Sequence, residues 1–256
     1  MAEQQTNLLA FIGKEETNLL VTMFKCHNDI VFFTSLDAAY QAPIRFIDIN
    51  FNDEYKKTII SLYLFTHYQL YFSTVSLLRC HLSDSLSSTR KAIDSTLTAY
   101  RLIEEPTTLL QYHNRDRSYQ NIKSYFSQII KKDQTRFVLA PELITLHDLC
   151  SEFGSHADIS SFIHRVSVKS TEKEGKEIFS LNMFQTPDTD IELRGYLVQT
   201  MLAYAQMLKV FSTFICELAV GLDIKLWNQQ IDEIIMVCAK EAYKIDSQIN
   251  HKDIPK

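Results

Sequence analysis

Arg90 and Asp94 are the first residues whose types and spacing could do chemistry. Four positions apart on a helix, they lie one turn from each other beside an apolar stripe, so a guanidinium and a carboxylate could meet at the edge of a core. Arginine presents a planar fork of donors to phosphate or carboxylate, which makes the pair a candidate anion clamp. The same geometry serves equally as a structural ion pair that orients a helix. Arg101 and Glu105 repeat the spacing one helical stretch further on.

A second group is His147, Asp148, Cys150, Glu152 and His156. His147 and Cys150 are three apart, and His156 follows a turn allowed by Gly154, so three metal-ligand side chains could converge. No H-E-x-x-H or C-x-x-C accompanies them, and a histidine beside an apolar face serves more often as a hydrogen-bonded core residue, so no metal or other cofactor is expected. The His147-Asp148 dipeptide resembles that of the helical HD phosphohydrolases, a likeness that would enlist His113 and Asp190.

Other chemistries find less support. No G-x-S-x-G elbow is present. No glycine occurs between Gly13 and Gly154, which removes the glycine-rich phosphate loops from that stretch. The cations from His113 to Arg117, with Lys123, Lys131, Lys132 and Arg136, could form a positive strip interleaved with Tyr119, Tyr125 and Phe126. A solvated helix face explains them as well, and the net charge of −5 gives no general attraction for nucleic acid.

These residues must be positioned by helices. Only 5 glycines and 5 prolines occur in 256 residues, too few for the many turns of a β-sandwich or barrel, while 46% hydrophobic residues supply a sizeable core. A first helix is expected from about Glu15 to Tyr40, ending before Pro43. A second starts near Asp53 and runs through the uncharged stretch Ile59 to Leu78, whose apolar residues on most faces suggest the centre of a bundle. The stripe Leu78, Leu82, Leu86, Ile93, Leu97 predicts a helix stopping at Pro106, and Ser118 to Lys131 predicts another.

Pro141 and Gly154 bracket a helix with Leu143, Leu146, Cys150 and Phe153 inward. The alternation of Phe162, His164, Val166 and Val168, with Ile178 to Phe184 beyond Gly175, predicts a small β-hairpin near residues 161–185. Thr189 and Glu192 have capping-box spacing before a long apolar helix that ends at Gly221. A last amphipathic helix carries Trp227, Ile231 and Cys238, and the tail 251–256 is expected to fray. With no linker or repeat, residues 1–256 read as one all-α domain, mainly a helical bundle with an inserted hairpin.

Both long apolar stretches, Ile59 to Leu78 and Tyr196 to Val220, contain polar residues that make a membrane span costly, so both read as helices buried in a soluble core. The five cysteines are widely spaced and Met1 to Gly13 lacks a basic, then apolar, leader, which points to free thiols and a cytoplasmic location.

The helix LLRCHLSDSLSSTRKAIDSTLTAYRLIEEP (77–106), the segment LHDLCSEFGSH (146–156) and the helix ELRGYLVQTMLAYAQML (192–208) together resemble a group of bacterial proteins similar to the HEPN-type helical bundles. In that group an arginine is followed four residues later by an acid, usually Glu, matched here by Arg90 and Asp94. A Ser-Glu segment leading to a histidine matches Ser151, Glu152 and His156. The resemblance implies an all-helical bundle. HEPN ribonucleases use an arginine followed after four to six residues by histidine, a spacing no arginine here provides, so it implies a non-catalytic member. The expected function is a cytosolic helical protein that binds a protein partner or small ligand, with a homodimer through an apolar helix face as one possibility. The alternative is a hydrolase of nucleic acid or phosphoesters using His156, with Arg90 holding phosphate and Asp94 orienting the histidine.

Overall fold

The computed structural model describes residues 8–47, 52–133, 135–154, 166–171, 176–181, 184 and 189–250. Its helices are α1 (Leu8–Lys25), α2 (His27–Gln41), α3 (Glu54–Leu78), α4 (Leu82–Glu104), α5 (Leu109–His113), α6 (Arg117–Gln120), α7 (Ile122–Lys132), α8 (Ala140–Gly154), α9 (Asp190–Leu218) and α10 (Ile224–Asn250). Short 3-10 turns follow α2 and α4 at Ala42–Phe46 and Pro106–Thr108, where proline cannot continue an α-helical hydrogen-bond ladder. The fold is all-α. Two six-residue backbone segments, Val166–Thr171 and Lys176–Leu181, run antiparallel between α8 and α9.

The core is organised around α9, whose Leu197, Met201, Tyr204, Leu208, Phe211 and Ile215 are fully enclosed. Helix α10 packs along it, α3 packs along α4, and α8 lies against α4. Buried hydroxyls and an indole tie the layers together: the Tyr40 hydroxyl donates to Tyr204 O at 2.8 Å, and Trp227 Nε1 donates to Ala39 O at 2.8 Å. Helix starts follow local chemistry. The Asp53 carboxylate accepts from the N–H groups of Tyr55 and Lys56, and Thr189 Oγ1 accepts from Glu192 N at 3.3 Å.

Several expectations need correction. The uncharged helix α3 is not the centre of the bundle: Leu64, Phe65, Tyr68, Tyr71, Phe72 and Val75 form an exposed side, and α9 takes the central place. The first helix is interrupted at Cys26, and the stripe expected to run unbroken through Leu78 and Leu82 is cut by the turn Arg79–His81. Cys80 adopts φ 65°, a left-handed conformation that strains a side-chain-bearing residue. Helix α1 holds this turn, because the Thr22 hydroxyl donates to Leu78 O and Asn18 Nδ2 to Arg79 O at 3.4 Å. Helix α9 ends at Leu218, three residues before Gly221, whose φ of 98° turns the chain toward α10. The tail 251–256 lies outside the described residues.

Candidate functional site

Arg90, Asp94 and Thr98 follow one face of α4 at intervals of a helical turn, and α8 presents His147 and Ser151 opposite them. Tyr119 to Lys123, spanning the end of α6 and the start of α7, close the third side. The result is a mainly polar cleft of about 440 Å³. His147 is its anchored member: the ring is buried at 6% exposure, with Nε2 3.2 Å from Asp94 Oδ1. Its Nδ1 lies 3.3 Å from Ser151 Oγ, while the Ser151 hydroxyl donates to His147 O at 2.7 Å. That carbonyl, one turn back on the same helix, is the usual partner of a helical serine.

The sequence-predicted residues are therefore partly united. Arg90, Asp94 and His147 share one cleft, but the partner of Asp94 is His147 on another helix. His156 lies outside the described residues. Cys150 does not join His147 as a ligand. It lines a separate apolar chamber of about 120 Å³ with Leu86, Leu146 and Ala203, where burial pushes its thiol up to about 12. Asp148 forms an ion pair with Lys123, and Asp190 one with Lys25 at 2.6 Å, so these acids have partners of their own. Among the described residues no three His, Cys, Asp or Glu side chains are grouped to hold a metal.

Charged groups of both signs and a helix start meet at the mouth of the cleft. Arg90 on α4 and Lys123 on α7 bring positive charge from two sides, against the carboxylates of Asp94 in the cleft and of Asp148, which pairs with Lys123. Asn121 to Lys123 are the N-terminal end of the 11-residue helix α7, where the first backbone N–H groups have no partner within the helix and carry partial positive charge. Asn121 Oδ1 accepts from Ser124 N at 3.4 Å and caps that end of the helix.

Of the residues read as a basic strip, Tyr119, Tyr125 and Arg136 are engaged with the Arg101–Glu105 pair. Arg101 is buried, donates to Ser118 at 2.9 Å and pairs with Glu105 at 3.3 Å. Tyr119 and Tyr125 lie against its guanidinium at 4.1 and 3.8 Å, so these rings cover a structural arginine. Arg136 reaches Glu105 at 2.5 Å, and the Tyr125 hydroxyl donates to the same carboxylate. The expected ion pair at Arg101 and Glu105 is thus present, and it holds α5 to α7 on the end of α4.

Sequence reasoning missed two polar clusters. Asp29, 1% exposed, is held by Arg194 on α9, which also reaches Glu241 on α10 at 3.1 Å. Asp37 on α2 meets His67 Nε2 at 2.7 Å and accepts from the Tyr71 hydroxyl, both from α3. The only local signal was a charged or imidazole residue inside an apolar helical pattern. Comparison with protein-family models, with curated proteins and with solved structures finds no match for this chain.

Proposed function

We propose that this is a non-catalytic helical binding protein whose polar cleft takes a small phosphate- or carboxylate-bearing ligand. The observation that carries this reading is the convergence of Arg90, Lys123 and the start of α7 around the anchored His147. Arg90 offers the planar fork, Lys123 a point charge that a ligand would share with Asp148, and the α7 backbone oriented N–H groups. Asp94 holds the imidazole in place and offers an acceptor to any hydroxyl of the ligand. Catalysis gains little from the nucleophiles nearby: the Ser151 hydroxyl is directed to a backbone carbonyl, and the Cys150 thiol is buried and hard to ionise. The free thiols fit a reducing compartment, and we read the protein as cytoplasmic, related in plan to the HEPN-type bundles, with a β-hairpin inserted near residues 161–185.

Titration calorimetry with inorganic phosphate tests the reading on the wild type, Arg90→Gln and Lys123→Gln. Saturable binding at one site, weakened about tenfold or more in each variant, supports it. No saturable binding, or binding unchanged in both variants, overturns it.

The Asp94 and Ser151 contacts of His147 favour a second reading, a hydrolase in which His147 takes the part assigned to His156. Turnover of p-nitrophenyl phosphate or p-nitrophenyl acetate that is lost in His147→Gln would support it, and no turnover by the wild type would reject it.

A further inference from the structure

Helix α3 is uncharged from Thr58 to Leu78, yet it does not lie in the middle of the fold. Its inner side, Ile59, Tyr63, Leu70 and Leu77, is fully enclosed, while Leu64, Phe65, Tyr68, Tyr71, Phe72 and Val75 are between 37% and 54% exposed. Phe65, Tyr68, Phe72 and Val75 follow at intervals of three, four and three residues, the spacing by which one helix seats its side chains between those of another. Leu64 and Tyr71 widen the stripe on one side. We infer that this face is where a second copy of the chain packs, α3 against α3 in antiparallel orientation.

Area and charge favour that occupant. Four half-exposed rings of roughly 200 Å² each, with Leu64 and Val75, present about 500 Å² of apolar surface, the larger part of the roughly 800 Å² per partner that a stable interface buries. A patch of this size stands at the upper end of the roughly 300–600 Å² range of the largest patch on a monomer, and such patches often serve a function. The stripe's own side chains carry no formal charge, and the charges that border it are of both signs, Lys91 and Asp94 beside Phe65 and Asp37 bonded to Tyr71, so a copy of the same stripe pairs ring with ring without facing a field of one sign. The exposed apolar residues of α1 are a poorer candidate, because Lys14, Glu16 and Lys25 are exposed among them. A membrane is disfavoured as occupant too. Among the described residues only α9 is long and apolar enough to span one, and most of its apolar window is buried in the fold.

The relation between copies is tested by sedimentation equilibrium of the full chain, the wild type beside Phe65→Glu and Phe72→Glu. Both positions face solvent in the single chain, so far-UV circular dichroism and melting should match the wild type. The expected result is a wild-type dimer whose dissociation constant rises about a hundredfold or more in each variant. Tyr68→Cys, near the middle of the stripe, should be joined to its copy by a short bismaleimide, against a low background because four of the five native cysteines are buried. A wild type that sediments as a monomer at every concentration overturns the inference. So does a dimer that persists in both glutamate variants, or a Tyr68→Cys dimer that resists cross-linking.

Discussion

Arg194 grips Asp29 through two nitrogen–oxygen contacts of 2.8 and 3.1 Å, although the residues are 165 positions apart. Asp29 is almost wholly enclosed, and its carboxylate raises the arginine's affinity for its proton above the usual value. Replacing Arg194 by Ala leaves a buried carboxylate unpaired and should cost about 3 kcal/mol in urea unfolding. The double variant Arg194→Ala with Asp29→Asn should recover part of the loss. Equal loss in single and double variants would show that the carboxylate is not the source of the cost.

Arg101 makes a second test of buried charge. Its guanidinium lies against Tyr119 and Tyr125 and bonds to Ser118 and Glu105. Arg101→Lys keeps the charge but loses the planar fork and the ring contacts, so it should still lower stability by about 2 kcal/mol. Hydrogen exchange should rise in α5 to α7 while α9 stays protected. Uniform loss of protection would assign Arg101 to the whole core.

Arg90→Ala has a milder expected effect. The carboxylate of Asp94 is 42% exposed and meets His147, so removing the arginine does not strand a buried acid. The loss of stability should be smaller than that of Arg194→Ala, because no buried carboxylate is left unpaired at Asp94, while phosphate binding weakens. Unfolding of the variant at room temperature would contradict this placement.

Acid should weaken the fold through Glu105 and Asp37. Burial opposes ionisation of both, but hydrogen bonds outweigh it: from Tyr125, Arg101 and Arg136 to Glu105, and from Tyr71, His67 and Gln41 to Asp37. Each carboxyl therefore has a folded pKa below its ordinary value of 4.5 or 3.8. The unfolded chain takes up these protons first as pH falls. The stabilisation is complete above the ordinary values, declines below about pH 4.5 and is exhausted once pH passes the folded pKa. In Glu105→Gln the slope of unfolding free energy against pH should be shallower between about pH 5 and 3, and an unchanged slope would remove Glu105 from the account.

Local chemistry made much of this fold legible. Pro106 and Pro141 marked helix boundaries because proline lacks the N–H of a continuing helix, and Thr189 marked the start of α9 through its side-chain oxygen. The interruptions at Cys26 and at Arg79 to His81 carry neither glycine nor proline. The second is held by hydroxyl and amide donors from α1, 56 and 61 residues away in sequence, which no window along the chain can contain. Composition also misplaced α3, since a helix with apolar residues all round reads the same whether its outer face meets its own core or a second chain. In the cleft, the arginine and acid four apart were visible on α4, but the contact of Asp94 with His147 comes from the packing of α4 on α8.

The binding claim is tested most directly at His147, by following its imidazole nitrogens in ¹⁵N NMR spectra during titration with inorganic phosphate. The account predicts a saturable change in the His147 resonances, at the same phosphate concentration that saturates calorimetry, and loss of that change in Arg90→Gln. His147 resonances that stay fixed while phosphate is added, or that move equally in wild type and Arg90→Gln, would contradict it.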